Sequence, residues 1–252
     1  MVGLEQIGET AGKVPGLLRI ERYELNYQPR RRPNWTAPQG ELTGYAWIGR
    51  FSKLADDPET ADCGFVKRSV FFAVEHKERR IAAGGLKIWR GVYDDDISFG
   101  LDTFVERADL DSQNEYNIAC AVATLWGGKS EETWWFEQSP FCFGDLCVFE
   151  RLVIDAKTAS HSQATWTIVN SLLQRVCRRD VAAIILKAFP LEYEGNTTKE
   201  NEAAFERRQR ALVRLYQRRL GFELVSDPSL NREGWMLKLI NDGAKPERRE
   251  QC

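Results

Sequence analysis

A single tyrosine near the carboxyl end of the chain lies at the end of a helical pattern, beside a glycine turn. Tyr216 belongs to the run 215–222, Leu-Tyr-Gln-Arg-Arg-Leu-Gly-Phe, in which an arginine-rich helical pattern ends at a glycine before a strand-like segment at 223–226. A phenol has an unperturbed pKa of about 10, so it is protonated at pH 7 and can protonate a leaving group. A tyrosine on the inward stripe of an amphipathic helix is more commonly a core residue, and the sequence leaves both roles open.

Two other side chains could accept a proton in the same reaction. Glu150 lies within the apolar strand pattern at 147–154, and His161 lies in the polar segment that follows it. Their spacing does not decide between them. Each also has an ordinary structural reading, Glu150 as a paired surface carboxylate and His161 as an exposed loop histidine.

The elements that would position these residues alternate between strand and helix patterns. Apolar alternation or continuous apolar runs predict strands at 17–27, 69–75, 81–89, 141–155, 181–188, 222–226 and 235–240. Helical spacing predicts helices at 44–54, 109–126 and 200–220, and another that begins at Ser160 or Ser162. The predicted fold is α/β, with a mixed, mostly antiparallel sheet flanked by helices.

The order of the predicted strands and helices gives a second pattern, in addition to the run at 215–222. From residue 149 onward it is strand, helix, strand, helix, strand, strand, and a hairpin at 69–89 precedes it. With Leu-Tyr-x-x-x-x-Gly-Phe at 215–222, this order resembles the GNAT superfamily of N-acetyltransferases. The resemblance covers the hairpin and 149–240. It implies an acyl-coenzyme A N-acyltransferase-like fold in a single domain, 1–252, with an enlarged N-terminal half and an insertion at about 91–148.

The resemblance also implies a reaction. Acetyl-coenzyme A would be the acyl donor, and a primary amine on a small molecule or a protein would be the acceptor. Tyr216 would be the general acid toward the departing thiolate. Glu150 is the preferred base, because carboxylates on this strand often act through water in that family. The strand residues Leu152, Val153 and Ile154 would offer backbone amides to the pantetheine arm and polarise the thioester carbonyl.

The loop after this strand departs from the family pattern. The family has Arg or Gln, two residues, Gly, any residue, then Gly or Ala, and the helix N-terminus behind it binds the pyrophosphate. The segment 155–165 contains no glycine. The residues that align with the phosphate loop are Ser160, His161, Ser162, Gln163, Ala164 and Thr165. Their hydroxyls and amides can still bind an anion, and the simpler alternative is that Ser160 or Ser162 is only a helix N-cap.

The charge distribution supports a second class of function. Residues 175–219 include eleven Lys or Arg and six Asp or Glu, in a chain of net charge -2. The alternative is a non-catalytic GNAT-like protein that binds a protein, or less favourably a nucleic acid, through the insertion or through an arginine-rich helix. The arginines concerned are Arg207, Arg208, Arg210, Arg214 and Arg218.

The composition argues against membrane, secreted and metal-binding classes of protein. No window approaches 18 uninterrupted apolar residues, and residues 1–15 lack the order of a secretory signal, which predicts a cytoplasmic protein that does not bind a membrane. Six cysteines include no C-x-x-C pair and only two histidines are present. We therefore expect reduced thiols and no metal site.

Overall fold

The computed structural model describes residues 17–24, 42–53, 64–77, 79–92, 101–126, 140–155, 162–177, 180–193, 198 and 200–240. Its strands are β1 (Leu17–Glu24), β2 (Leu42–Gly49), β3 (Ser52–Lys53), β4 (Phe65–His76), β5 (Arg79–Gly91), β6 (Asp145–Ile154), β7 (Val181–Lys187), β8 (Glu223–Leu224) and β9 (Trp235–Leu239). Its α-helices are α1 (Leu101–Asp111), α2 (Gln113–Trp126), α3 (Ser162–Val176), α4 (Glu202–Leu220) and α5 (Pro228–Glu233), with 3-10 turns at Pro140–Cys142 and Leu191–Tyr193.

The nine described strands form one sheet in the order β1-β2-β4-β5-β6-β7-β9-β8, and β3 pairs with β4 beside this path. Every neighbouring pair is antiparallel except β6 and β7, which are parallel. Helix α3 connects the parallel pair, as a parallel pairing requires a crossover. The predicted α/β class with a mixed, mostly antiparallel sheet is confirmed.

The sheet separates two apolar cores. Helices α3 and α4 cover one face, where Ile88 and Cys147 belong to the core, and helices α1 and α2 cover the other, where Trp89 and Val148 belong to the core. Neighbouring residues of one strand thus enter opposite cores, because successive side chains of a strand point to opposite faces. We call these the α3–α4 face and the α1–α2 face.

The predicted hairpin is confirmed, with longer strands than the sequence indicated. Strands β4 and β5 pair from Phe65↔Gly91 to His76↔Arg79. Gly84 is required by packing on the α3–α4 face. A Cβ atom there would lie 2.3 Å from Cζ of Phe72 and 2.6 Å from the backbone oxygen of Arg151.

The predicted helix at 44–54 is wrong, because residues 42–49 form strand β2. Leu42, Gly44 and Ala46 alternate as buried positions, and a Cβ on Gly44 would lie 2.8 Å from Cγ2 of Ile168 in α3. Two of the three inward residues are small so that α3 can approach. Their small size conceals the period-two pattern that predicts a strand.

The predicted helix at 109–126 is two helices. Helix α1 begins earlier, at Leu101, and the chain breaks at Ser112 before α2. The Oγ atom of Ser112 accepts the backbone N–H of Glu115 at 3.2 Å, which is an N-cap contact.

The carboxyl-terminal predictions are confirmed. Strand β7 is buried from Val181 to Leu186, helix α4 ends at Leu220, and β8 pairs antiparallel with β9. Gly221 has φ 72° and closes α4 by donating its N–H to the Gln217 carbonyl. The glycine of the 215–222 run is therefore a left-handed C-cap, a conformation that glycine adopts without strain.

Candidate functional site

The parallel pair β6 and β7 is joined along less than half of β6. Pairing runs from Asp145↔Val181 to Val148↔Ile185 and stops, while β6 continues to Ile154 with β5 as its neighbour. On its other edge β7 pairs with β9, from Ala183↔Leu239 to Lys187↔Trp235. Within the described residues, 149–154 therefore have no strand partner on the β7 side, and we call this stretch the open edge of β6.

A bulge explains why β6 leaves β7 at this point. The β5–β6 register shifts between Gly85↔Arg151 and Leu86↔Phe149, so Glu150 is the extra residue on β6. A bulge bends its strand, increases the local twist and turns a side chain in a new direction. The β6–β7 pairing ends at Val148, and the bulged residue lies two positions later.

Tyr216 lies beside the start of the open edge, on the α3–α4 face. Its ring centroid is 6.1 Å from that of Phe149, 6.4 Å from that of Trp166 and 6.5 Å from that of Phe222. Burial raises the pKa of the phenol to about 12. No hydrogen bond involves its hydroxyl within the part of the chain that the structure describes. The phenol is therefore a protonated donor that is free to bind another group.

Glu150 lies on the α1–α2 face, held by a lysine. Lys87 Nζ is 2.7 Å from Oε1 of Glu150 and also donates to Oε1 of Glu115, from the first turn of α2. Glu115 is fully buried, whereas the Glu150 side chain keeps 27% of its exposure. Glu150 is thus the most exposed member of this cluster, and solvent or a ligand can reach it.

Burial and neighbouring charges shift the pKa values of Glu115 and Lys87. Burial raises the pKa of Glu115, and the neighbouring Lys87 opposes this rise without cancelling it. Burial lowers the pKa of Lys87, but the carboxylates of Glu150 and Glu115 together outweigh it, so the pKa of Lys87 is raised. Lys87 therefore stays cationic at neutral pH. Oε2 of Glu115 is buried without a hydrogen-bond partner.

The side chains of the two predicted catalytic residues thus lie on opposite faces of the sheet at β6. Tyr216 packs on Phe149, and Glu150 is the next residue along the strand. A group that lies along the open edge would have a phenol on one side and a carboxylate on the other.

The predicted cofactor residues of the strand all lie on the open edge. Leu152, Val153 and Ile154 pair with Gly84, Ala83 and Ala82 of β5, and their side chains are partly buried. Their arrangement leaves backbone groups on the β7 side without a strand partner among the described residues.

The predicted phosphate-loop residues are described in part. Ser160 and His161 lie outside the described residues, and of Ser162 only the backbone is described, as the first residue of α3. Gln163 is exposed, and its Oε1 accepts a hydrogen bond from Arg219. Ala164 and Thr165 are buried, so any contact they make with an anion would use their backbone. The N–H groups of the first residues of a helix have no partner inside it, and here these residues begin at Ser162.

Lys87 and Glu115 were missed by the sequence reasoning. Lys87 lies between Leu86 and Ile88 in an apolar strand, and Glu115 precedes the buried Ile118 and Val122 in a helix. A charged residue inside an apolar pattern is rarely buried unless it is paired. That rule would have identified both residues, but not that they bind each other.

Comparison with known proteins gives no relative: no family model, no curated protein and no solved structure matches this chain. Among the described residues, no helix is long and apolar enough to cross a membrane. In the same ranges no three His, Cys, Asp or Glu side chains lie close enough to hold a metal ion. Cys120, Cys147 and Cys177 are free thiols, and the last two are buried.

Proposed function

We propose that this protein is an acyl-coenzyme A-dependent N-acyltransferase, with an acyl-coenzyme A N-acyltransferase-like fold, that transfers an acetyl group from acetyl-coenzyme A to a primary amine. The observation that carries the proposal is the open edge of β6, flanked by Tyr216 on one face and Glu150 on the other. The parallel strands β6 and β7 are connected by α3 and are followed by α4 and the antiparallel pair β8 and β9. This order of strands and helices is the one on which the resemblance to the GNAT superfamily rests.

The open edge suits the pantetheine arm of coenzyme A. An extended ligand with amide groups can bind an unpaired strand edge through main-chain hydrogen bonds, as an added strand does. Residues 149–154 provide such an edge inside the sheet, where one side is already fixed by β5. The pantetheine arm would lie between β6 and β7 and direct the thioester toward the bulge.

In the proposed reaction, one proton transfer takes place on each face of the sheet. The nitrogen of a neutral amine forms a bond to the thioester carbon, Glu150 accepts the amine proton directly or through water, and the carbon–sulfur bond breaks. Tyr216 gives its proton to the departing sulfur and regains one from solvent, while Glu150 releases one to solvent. Backbone N–H groups of the open edge would stabilise the oxyanion.

The start of α3 suits the pyrophosphate. The helix N-terminus at 162–164 offers N–H groups and the positive end of the helix dipole. Arg219 donates to Gln163 and adds a positive charge at this helix start. These features supply an anion site without the glycines of the family pattern.

The second candidate is a non-catalytic protein of the same fold that binds a protein or nucleic acid. The glycine-free segment and the packing of Tyr216 among three aromatic rings favour it. This candidate and the enzyme differ in one measurable respect, because only the enzyme has to bind acetyl-coenzyme A along β6.

Hydrogen exchange with and without acetyl-coenzyme A tests the proposal. We expect slower exchange of the amides at 149–154 and 162–164, and unchanged exchange in β2, which is separated from β6 by β4 and β5. Thermal unfolding supplies the affinity, since ligand at a hundred times its dissociation constant stabilises the folded state by about 2.7 kcal/mol. No shift in Tm and no change in exchange at millimolar acetyl-coenzyme A would reject the enzyme in favour of the binding protein.

A further inference from the structure

We propose that Lys87 and Glu115 are positioning residues for Glu150, and that through them helix α2 of the insertion forms part of the site that receives the acceptor amine. This inference rests on the proposed function, because it assigns the neighbours of the base in that reaction. It adds two residues and one element that the sequence did not connect with the site.

Lys87 is placed to fix the Glu150 carboxylate. It extends from β5 on the α1–α2 face, where its side chain keeps only 20% of its exposure. Its ammonium bonds both Glu150, at 2.7 Å, and Glu115. An ammonium with two carboxylate partners has little rotational freedom left, so the Glu150 side chain that it binds is also held in one position.

Glu115 is the rigid end of this arrangement. Its side chain is fully buried, and its backbone N–H is bound to the Ser112 hydroxyl that caps α2. The break between α1 and α2 is what directs Glu115 toward the sheet. The cap of α2 therefore holds Glu115 in place, and Glu115 holds Lys87. Lys87 in turn holds the exposed carboxylate of Glu150 at the bulge.

Stability alone does not explain a buried cluster of this kind. Removing charges from water costs several kcal/mol per ion, and apolar residues of similar volume often stabilise a core as well or better. Here the cluster runs from the fully buried Glu115 to its most exposed member, Glu150, which is the bulged residue beside the open edge. A lysine between two carboxylates also leaves a net charge of about -1, which attracts a cationic amine.

The charged groups that face the cluster come from four elements. Lys87 comes from β5, Glu150 from β6 and Glu115 from α2, and Lys67 from β4 lies near enough to lower the pKa of Glu115. Lys67 is itself paired with Asp111, at the end of α1. The Lys67–Asp111 pair does not involve Glu150, which makes it a matched control on the same face.

Four variants separate positioning from structure. Lys87→Met removes the charge, Lys87→Arg keeps it, and the double variant Lys87→Met with Glu115→Gln removes the cation without leaving a buried carboxylate unpaired. Lys67→Met is the control. The probes are acetyl-coenzyme A with n-butylamine, spermidine or a lysine-containing peptide as acceptor.

We expect both variants with Lys87→Met to lose about a hundredfold in kcat, the loss that a misplacement of about 1 Å can cause. The KM for acetyl-coenzyme A should stay within twofold. Lys87→Arg should restore most of the rate, and Lys67→Met should leave the rate unchanged.

The negative results distinguish a wrong positioning role from a wrong proposed function. If the wild-type protein acetylates a probe and the folded double variant matches it in kcat, the positioning role is overturned while the acyltransferase stands. If Lys67→Met loses as much as Lys87→Met, the effect is general damage to this face and the inference is equally overturned. A wild-type protein that binds no acetyl-coenzyme A, or that acetylates none of the three probes, overturns both.

Discussion

The Tyr216 ring lies 6.1 Å from the ring of Phe149, and Phe149 is the first residue of β6 beyond its pairing with β7. The aromatic cluster of the α3–α4 core therefore ends where the open edge begins. A tyrosine in this place can pack its ring as a core residue and still present its hydroxyl to a group bound between the strands. The two readings of Tyr216 are compatible.

Replacing Tyr216 by Phe should lower turnover and leave the fold intact. The ring keeps its packing on Phe149 and Trp166, and only a hydroxyl without a hydrogen bond in the described part of the chain is lost. General acid catalysis contributes roughly a hundredfold to ten-thousandfold, so kcat should fall within that range if chemistry limits the rate. The free energy of unfolding should change by less than about 1 kcal/mol.

The pH profile gives an independent check of the same variant. Because burial raises the pKa of Tyr216 to about 12, the phenol should impose no inflection on the wild-type rate between pH 6 and pH 10. A Tyr216→Phe protein that acetylates at the wild-type rate would show that Tyr216 is a core residue only.

Two adjacent glycines of β5 should respond oppositely to alanine. A Cβ on Gly84 would lie 2.3 Å from Phe72 Cζ and 2.6 Å from the backbone oxygen of Arg151, whereas the nearest atom to a Cβ on Gly85 is Glu150 Oε2 at 3.6 Å. Overpacking of a core costs about 1–3 kcal/mol, so Gly84→Ala should be destabilising by at least that amount. Gly85→Ala should be neutral or slightly stabilising, since alanine restricts the unfolded chain.

Urea unfolding of both variants measures the difference. Equal destabilisation by the two substitutions would show that the close approach of β6 at Gly84 is not what requires a glycine there. Gly85→Ala also places a methyl group beside Glu150, so its kcat reports whether the carboxylate needs that space.

The sequence predicted the carboxyl-terminal half of this fold better than the rest, for a physical reason. Strand β7 is a continuous apolar run, and in α4 the inward Leu212, Leu215 and Tyr216 recur at helical spacing. In β2 the inward positions Gly44 and Ala46 are small, so the pattern predicts a helix where a strand forms. Tyr216 and Glu150 were found from local patterns, but the bulge at Glu150 and the Lys87–Glu115 contact depend on pairing between residues far apart in sequence.

The arginines of α4 should not bind nucleic acid. Arg208 pairs with Glu192, Arg210 with Glu206, and Arg219 donates to Gln163. The carboxylates of Glu192 and Glu206 offset the charge of Arg208 and Arg210, and Gln163 holds Arg219 at the start of α3. In a gel-shift assay at low salt we expect no retention of DNA or RNA. Retention that falls steeply with salt and is lost in Arg214→Gln with Arg218→Gln would instead support the nucleic-acid form of the second candidate.

The buried carboxyl of Glu115 should make stability depend on pH in a defined direction. Burial raises the pKa of Glu115 above its ordinary value of 4.5, although Lys87 opposes the rise. The folded protein therefore holds this proton more tightly than the unfolded chain. The contribution of Glu115 to stability is fully present below pH 4.5 and is lost as the pH rises through the raised pKa.

Glu115→Gln removes this dependence while it keeps the shape of the side chain and an oxygen for Lys87. Measured by urea unfolding between pH 4 and pH 8, the free energy of unfolding of the variant should improve relative to the wild-type protein as the pH rises. Lys87 adds no pH dependence over this range, because the stabilisation that goes with its raised pKa is constant below its ordinary value of 10.5 and is lost only above that value. Curves that stay parallel from pH 4 to pH 8 would show that Glu115 titrates alike in the folded and unfolded chains. A difference that grows as the pH falls would mean that Lys87 holds Glu115 ionised, with the attraction of the ammonium exceeding the cost of burial.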